Sequence, residues 1–322
     1  MISSISFVII GLNEVENIGK CISSVKDSIS RLELGFSEIL YVDSQSSDSS
    51  IEVAIKNGID KVYILEGDKS ASAARKVGEI NSTCDWILFL DADMTLDVNF
   101  LRYVQTDILS CSKNNIPSGY IGKRAEYKVD DSGCVLVSDN FYSQEIRTNL
   151  SHIGGALLIN KKKLHEVGGF LPDQIMWEES ELLARLNSND YFVVGLPFSF
   201  ISHYNKKHRS GIASISKYLK LKGTAYYYWK FIFETLRAGH IKNSIKNQKQ
   251  IFLGIILIIA LLSNFNSFLF CLFLLYVFIY DLKSLIHCMF RAIHFFPSLF
   301  VYLFNNKDFN FKWSEHPIPR EK

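Results

Sequence analysis

Hydrophobic positions change period repeatedly along the first hundred residues. Ile5–Ile10 is an unbroken apolar run that ends at Gly11, and it predicts a strand buried on both faces. Val15, Ile18, Ile22, Val25 and Ile29 then recur at helical spacing, with Asn13 placed as N-cap. Ile39–Val42 predicts a second strand. Ser46 or Ser47 can open a helix that runs to Asn57 and stops at Gly58. Lys61–Leu65, Ala71–Glu79, Trp86–Leu90 and Val98–Leu109 continue the alternation as strand, helix, strand and helix. This order predicts an α/β fold with a mostly parallel sheet and helices on both faces. Ligands in such sheets gather beyond the C-terminal ends of the strands. Three places qualify: Gly11–Glu14, Asp43–Asp48 and Asp91–Asp93.

From about 117 to 149 the chain is polar, with short strand-like pieces. His152–Asn160 predicts a strand entered through Gly154-Gly155. Lys161–Val167 reads as a short helix closed by Gly168-Gly169, Trp177–Leu186 as an acidic helix, and Tyr191–Val194 as a last strand. The pattern then changes. Ile251–Tyr280 is a run of 30 residues without a charge, interrupted only by the polar stretch Ser263–Ser267. As one helix it would reach roughly 45 Å, against a hydrocarbon core of roughly 30 Å. A re-entrant hairpin, a two-helix hairpin and one tilted helix all fit that length. The expected division is an α/β domain at 1–210, a basic amphipathic linker at 211–250, a membrane-associated hairpin and helix at 251–304, and a tail at 305–322. The N-terminus has no basic region, so its apolar run reads as a buried strand and not as a signal peptide.

Charge follows the same division. The whole chain carries +2, but residues 1–200 hold 18 basic and 28 acidic side chains, and residues 201–322 hold 17 and 5. Lys206 to Lys249 contains eleven Lys and Arg and one acid, Glu234. Basic residues on both sides of the apolar run favour a hairpin returning to an anionic cytoplasmic leaflet. The expectation is a membrane-associated chain, in contact with membrane lipids, whose α/β domain is cytoplasmic. No recognised nucleic-acid motif accompanies the charge, so nucleic acid is not expected as a partner. The six cysteines are scattered without a Cys-x-x-Cys pair, which fits a reducing compartment and speaks against a cysteine zinc site.

Asp91-Ala92-Asp93 follows the apolar strand WILFL, so two carboxylates stand at a strand's C-terminal end. If the strand conformation persists, alternation puts both on one side. Such a pair repels itself unless a cation sits between, and Mg²⁺ or Mn²⁺ suits oxygen ligands shared with phosphate. The alternative is an acid that merely caps the following helix. Other segments accompany the pair in order: VIIGLNE, YVDSQSSDSS, SASAARKVG, then IGGALLI, GGF and WEESELLARL. Together they resemble the family 2 glycosyltransferases, over about residues 5 to 210.

The resemblance implies the GT-A fold, a Rossmann-like nucleotide-sugar-binding sheet. It implies that Asn13, Glu14, Asp43 and Ser44 surround the nucleoside, and that Arg75 contacts the nucleotide or supports the metal loop. Asp93 would ligate Mn²⁺ or Mg²⁺ directly, with Asp91 nearer the ribose or joined to the metal through water. His203 resembles a third ligand found in some members, while Arg209 is close enough in sequence to serve the diphosphate. Gly154 and Gly155 resemble the paired glycines that let backbone approach a sugar. Glu179 stands where the family has its catalytic base, which is usually Asp, and Glu178 is the other acid able to take that role. Glutamine and serine, Gln45 and Ser49, replace glycines usual in the family's second loop. Lys76 replaces the usual Asn after Arg75.

The implied reaction is inverting transfer from a nucleoside-diphosphate sugar to a hydroxyl on a glycan or lipid-linked acceptor. Glu179 would remove the hydroxyl proton, with no covalent enzyme intermediate. A sugar nucleotidyltransferase would want a Gly-rich basic loop after strand one, where this chain has Gly11-Leu12-Asn13-Glu14. A nicotinamide-dependent enzyme would want G-x-G-x-x-G there. A catalytically inactive, membrane-anchored sugar-binding scaffold is the alternative from another class, and retention of Asp91, Asp93 and the Glu pair weighs against it.

Overall fold

The computed structural model describes residues 2–206, except 33, 113–114, 131–132, 143 and 151–152; it also describes 309–318, 232–233 and 303. Met1–His208 and Phe309–Lys322 form one compact unit, and Arg209–Asp308 is assigned to a second. Apart from Lys206 and residues 232–233, the basic stretch lies outside the described residues, as do the apolar run and Arg209. Among the described residues no helix is long and apolar enough to cross a membrane.

The first half is built as the periodicity predicts. β1 (Ser4–Gly11), β2 (Phe36–Asp43), β3 (Lys61–Leu65) and β4 (Trp86–Asp91) are parallel, in the order β3-β2-β1-β4. Phe7, Val8 and Ile9 of β1 are wholly buried, as a strand covered on both faces requires. The chain steps outward from β1 to β2 to β3, then crosses back to place β4 on the far side of β1. The usual right-handed crossover would put α1 (Ile18–Ser30) and α2 (Ser50–Lys56) on one face and α3 (Ala71–Asn81) on the other; α1 packs on α2, and α3 packs on β1, β2 and β3. Ser70 caps α3 by accepting from Ala73 N at 2.8 Å. The expected cap of α1 moves: Asn17 occupies the N-cap position, and Asn13 lies in the preceding loop.

The second half differs from the expected parallel pattern. After β4 come β5 (Met94–Leu96), α4 (Phe100–Ser110), β6 (Gly119–Asp130), β7 (Gly133–Ser138) and β8 (Thr148–Asn149). β9 (Leu157–Asn160), α5 (Lys161–Glu166), α6 (Glu178–Ser188), β10 (Val193–Lys206) and β11 (Trp313–His316) complete the unit. β9 is antiparallel to both β4 and β6, β5 is antiparallel to β10, and only β6 and β10 pair in parallel here. The sheet is therefore mixed, with order β11-β3-β2-β1-β4-β9-β6-β10-β5. The predicted strand ending at Val194 runs on to Lys206. Gly195 and Pro197 read as breakers, but the strand absorbs them in register shifts between Gly195 and Ile201.

Close helix–sheet packing depends on Gly78. A Cβ there would lie 2.1 Å from Val8 Cγ1 of β1. Alanine favours an isolated helix by about 1 kcal/mol over glycine, but overpacking a core costs about 1–3 kcal/mol. Gly78→Ala is therefore expected to lower stability by about 1–2 kcal/mol, read as a lower denaturation midpoint. An unchanged midpoint would mean that α3 can lift from β1 freely.

Candidate active site

The three predicted loops converge where the strand order reverses, between β1 and β4. Ser44 N donates to Gly11 O and Ala92 N to Ile10 O, both at 2.9 Å, so the ends of β2 and β4 are tied to the end of β1. Asn13 takes a left-handed backbone (φ 58), and its Oδ1 accepts from Ser47 N at 2.8 Å. Glu14 N donates to Ser50 Oγ and Glu14 Oε2 accepts from Asn17. Gln45 is also left-handed (φ 63), the conformation that glycine serves elsewhere.

Asp43 is wholly buried. Its carboxylate accepts from Tyr41 Oη at 2.9 Å, Ser46 N at 2.7 Å and Ser46 Oγ at 2.5 Å. It shapes the loop from within, while Ser44 lines the cavity. That cavity has a volume of about 340 Å³. Gly11, Leu12, Glu14, Ser44, Asp91, Ala92 and Asp93 line it, joined by Lys69, Ser70 and Ala71 from the start of α3. A larger cavity, about 840 Å³, opens around Cys84, Asp85 and Trp86 at the other end of β4 and holds none of the predicted site residues.

Asp91 and Asp93 do not share a strand face. β4 ends at Asp91, the chain turns through Ala92 and Asp93, and the two carboxylates take different partners. Asp91 Oδ1 meets Arg75 Nη2 at 2.9 Å. The same guanidinium reaches Glu178 Oε1 at 3.0 Å, Glu179 Oε1 at 3.5 Å and Gly155 O at 3.2 Å. Burial opposes the charge on Arg75, but Asp91, Glu179 and Glu178 outweigh it and keep the group protonated.

Glu179 Oε1 also accepts from Gly155 N at 3.0 Å. Gly155 has φ 68, and a Cβ on it would lie 2.5 Å from Met94 Cε and 3.2 Å from Asp91 Oδ2, so only glycine fits between the acid pair and the glutamates. Glu178 and Glu179 open α6 behind Trp177, whose own backbone is left-handed (φ 57). For a tryptophan that conformation costs on the order of 1–3 kcal/mol, which places stored strain beside the glutamates.

Asp93 faces His203. Asp93 Oδ2 lies 3.1 Å from His203 Nε2, and Tyr204 N donates to Asp93 O at 3.0 Å. Pairing of His203 with Met94 in the β10–β5 register brings the histidine to the acid turn. On its other side, His203 Nδ1 is 2.8 Å from Glu126 Oε1 and 2.7 Å from Arg124 Nη2, both on β6. Burial works against protonating His203, yet the hydrogen bond and charge of Asp93 prevail and its pKa is raised.

Asp93 Oδ1 is buried without a hydrogen-bond partner. A desolvated carboxylate oxygen beside an imidazole is a donor set that suits Mn²⁺ or Mg²⁺. Among the described residues no three His, Cys, Asp or Glu side chains already stand as a complete metal site. Cys21 lies beneath the turn with Sγ 3.9 Å from Asp91 O. Burial, then Asp93, Asp91 and Glu14, push its thiol pKa up and leave it inert.

The structure thus brings Glu14, Ser44, Asp91 and Asp93 to one cavity, with Arg75, Gly155, Glu178 and Glu179 behind Asp91 and His203 behind Asp93. Gly154 precedes Gly155 against Tyr142, whose Oη would lie 2.5 Å from a Cβ there. Four residues escape a motif reading: Lys69, Arg124, Glu126 and Tyr142. Lys69 stands two residues before a predicted helix. The other three lie on or after a strand whose polar sequence gives little alternation.

Burial, then the neighbouring Glu179, push the Glu178 carboxyl up to about 7, against Arg75. A carboxyl raised in the folded state contributes stability that is present at low pH and lost as pH rises through its folded pKa. The window runs from about 4.5 to about 7. Glu178→Gln removes that titration. Its stability relative to the unmutated chain, from urea denaturation at pH 5 and pH 8, is expected to improve with rising pH. A difference independent of pH would contradict the buried-carboxyl assignment.

Three comparisons with known proteins bear on this geometry. The chain's fold is similar to that of the mannosyltransferase PcManGT from Pyrobaculum calidifontis, solved in complex with GDP-Man and Mn²⁺. That match has 10% identity and a TM-score of 0.57, over 94% of this chain and 88% of the other. S. aureus TarS 1-349 in complex with UDP matches with 11% identity and a TM-score of 0.54, over 73% of this chain. The match spans 65% of that TarS chain, just under two thirds. TarS 1-349 in complex with UDP-GlcNAc matches with 15% identity and a TM-score of 0.50, over 71% of this chain and 66% of that one. A comparison with curated protein sequences finds no match. The family model described as glycosyl transferase family 2 matches residues 6–168, a little over half of the chain. With the GT-A-like α/β sheet and the converging loops, that match settles the family: the chain belongs to glycosyl transferase family 2.

Proposed function

We propose that this chain is an inverting, metal-dependent glycosyltransferase that moves a sugar from a nucleoside-diphosphate donor to an acceptor hydroxyl. The observation that carries the reading is the bridge from Asp91 through Arg75 to Glu178 and Glu179. It sets two acids at the mouth of a helix beside the acid turn that lines the cavity. Nucleotide-sugar complexes of fold neighbours support the donor class.

The cavity takes the nucleoside between the ends of β1 and β2, with Glu14 and Ser44 at its wall. Lys69 supplies a cation at the rim. Asp93 and His203, with Asp91 directly or through water, would hold Mn²⁺ or Mg²⁺, whose positive charge stabilises the departing diphosphate. Glu179 takes the proton of the acceptor hydroxyl, and that oxygen bonds to the anomeric carbon as the bond to the diphosphate oxygen breaks. Gly155 N–H fixes one oxygen of Glu179, which leaves the other for the proton. Glu178, held at 3.0 Å by Arg75, keeps the guanidinium in place.

The acceptor in this reading is a glycan or lipid-linked hydroxyl at the cytoplasmic membrane face. The uncharged run and its basic flanks support attachment there. β10 and β11 belong to one sheet, so a segment between them that enters a bilayer has to return to the side it left.

Hydrolysis of UDP-, GDP- and dTDP-sugars by detergent-solubilised protein, with Mn²⁺ or Mg²⁺, tests the donor class. Turnover of one class is expected, and none without divalent cation. Asp93→Asn is expected to abolish the metal-dependent rate. Glu179→Gln is expected to bind donor as before but to lose transfer by at least about a hundredfold, the usual worth of a general base. Full transfer by Glu179→Gln would sink the base assignment, and a wild-type chain that binds no nucleoside diphosphate would sink the reaction.

A further inference from the structure

The chain returns to the first unit at residue 309, and where it lands bears on the donor cavity. β11 pairs antiparallel with β3, with Trp313 opposite Leu65 and His316 opposite Val62. That direction carries residues 310–312 past the C-terminal end of β3, alongside Glu66, Gly67 and Asp68. Glu66 N and Gly67 N donate to Lys312 O at 2.9 and 3.3 Å. Asp68 N donates to Asn310 O at 2.7 Å, and Asn310 N donates back to Asp68 Oδ2 at 2.9 Å. The approach is tight enough that a Cβ on Gly67 would lie 1.7 Å from Asn310 O. Phe309, Phe311 and Trp313 pack against the core.

The next residues in sequence, Lys69, Ser70 and Ala71, line the cavity. Ser70 also caps α3 and donates to Pro172 O at 2.7 Å, and α3 carries Arg75. Every backbone amide from Glu66 to Asp68 thus finds its partner on the residues that lead into β11. Without it the loop would have to be ordered by the ligand, and ordering entropy would be subtracted from affinity.

We propose that the C-terminal strand is a positioning element of the donor site, holding Glu66–Asp68 so that Lys69 and Ser70 are set for the nucleotide. This rests on the reading of the cavity as the donor site. It makes nucleotide affinity depend on a strand that follows the 209–308 segment, more than two hundred residues from the loop it holds.

The test uses full-length protein with two substitutions that displace the strand by different routes. Gly67→Val sets a side chain against Asn310 O, and Trp313→Asp removes apolar packing at a position away from the cavity. Hydrogen exchange of the Glu66–Asp68 amides reports docking, and exchange in β1 and β4 reports whether the core stays folded. Calorimetry with UDP, GDP and dTDP, each with Mn²⁺, reports affinity. Both variants are expected to lose protection at 66–68, keep it in β1 and β4, and bind the wild type's preferred nucleotide about tenfold more weakly. KM for the donor should rise more than kcat falls. Released amides with unchanged affinity in either variant would overturn the proposal, and so would a strand that stays docked in both, or loss of core protection in both. A wild-type chain that binds none of the three nucleotides would overturn the donor-site reading itself.

Discussion

A single buried guanidinium joins the two chemical parts of the site. Arg75 leaves only 3% of its side chain exposed, and it sits between the acid at the end of β4 and the two acids that open α6. Burying a charge is expensive unless every donor finds an acceptor. Here Asp91, Glu178 and Gly155 O accept at 2.9–3.2 Å. The carboxylates depend on Arg75 in turn, because three acids so close would repel without it. Removing one partner from such a cluster costs on the order of 3–5 kcal/mol. The position of Arg75 is inherited from α3, which Gly78 lets settle on Val8 and which Ser70 caps. Packing far below the cavity therefore decides where the acids stand.

The reversal of strand order explains why the cavity forms where it does. β1 has parallel neighbours on both sides, and the strand order reverses between β1 and β4, the place where such sheets open a crevice at their C-terminal ends. The mixed half of the sheet supplies the remaining wall. β9 ends the parallel run by pairing antiparallel with β4, and its entry through Gly154 and Gly155 lies against Asp91. β10 brings His203 to Asp93 from the other side by pairing with β5. Parallel strands thus build the floor of the cavity, and antiparallel strands return the chain to place groups beside it.

The parallel half was legible in the sequence because its signals are local. Ile5–Ile10 and Trp86–Leu90 are continuous apolar runs, and Gly58 and Ser70 punctuate the helices between them. The mixed half was not, since β6 and β10 are long strands with polar stretches, glycines and a proline, and they are held by partners distant in sequence. Arg124 and Glu126 belong to that half, so nothing near them announces that they face His203. Asp93 and Asp91 were visible as a pair, but their divergence was not: a turn of two residues after β4 gave each its own partner. Arg75 could be placed at the site, whereas its complete burial depends on the later strands and α6. The strand at Trp313 was invisible for a similar reason, since four residues pair with an edge some 250 positions earlier.

Formal charge around the cavity imposes one further constraint. Among the described residues, Glu14, Asp91, Asp93, Glu126, Glu178 and Glu179 stand with Arg75, Arg124, Lys69 and His203, an excess of acid even with the histidine protonated and before a ligand arrives. A nucleoside diphosphate would deepen that excess in a partly desolvated setting, where repulsion is poorly screened. Arg75 and Arg124 are already committed to carboxylates, and Lys69 is a single exposed cation. The uncommitted valence lies at Asp93 Oδ1, buried and without a partner beside His203. On the reading proposed above, a hard cation entering with the anion would relieve both the orphaned oxygen and the excess charge. The neighbouring carboxylates are acceptors and the guanidinium of Arg75 is taken, so Asp93 would be the residue on which joint entry of anion and cation turns.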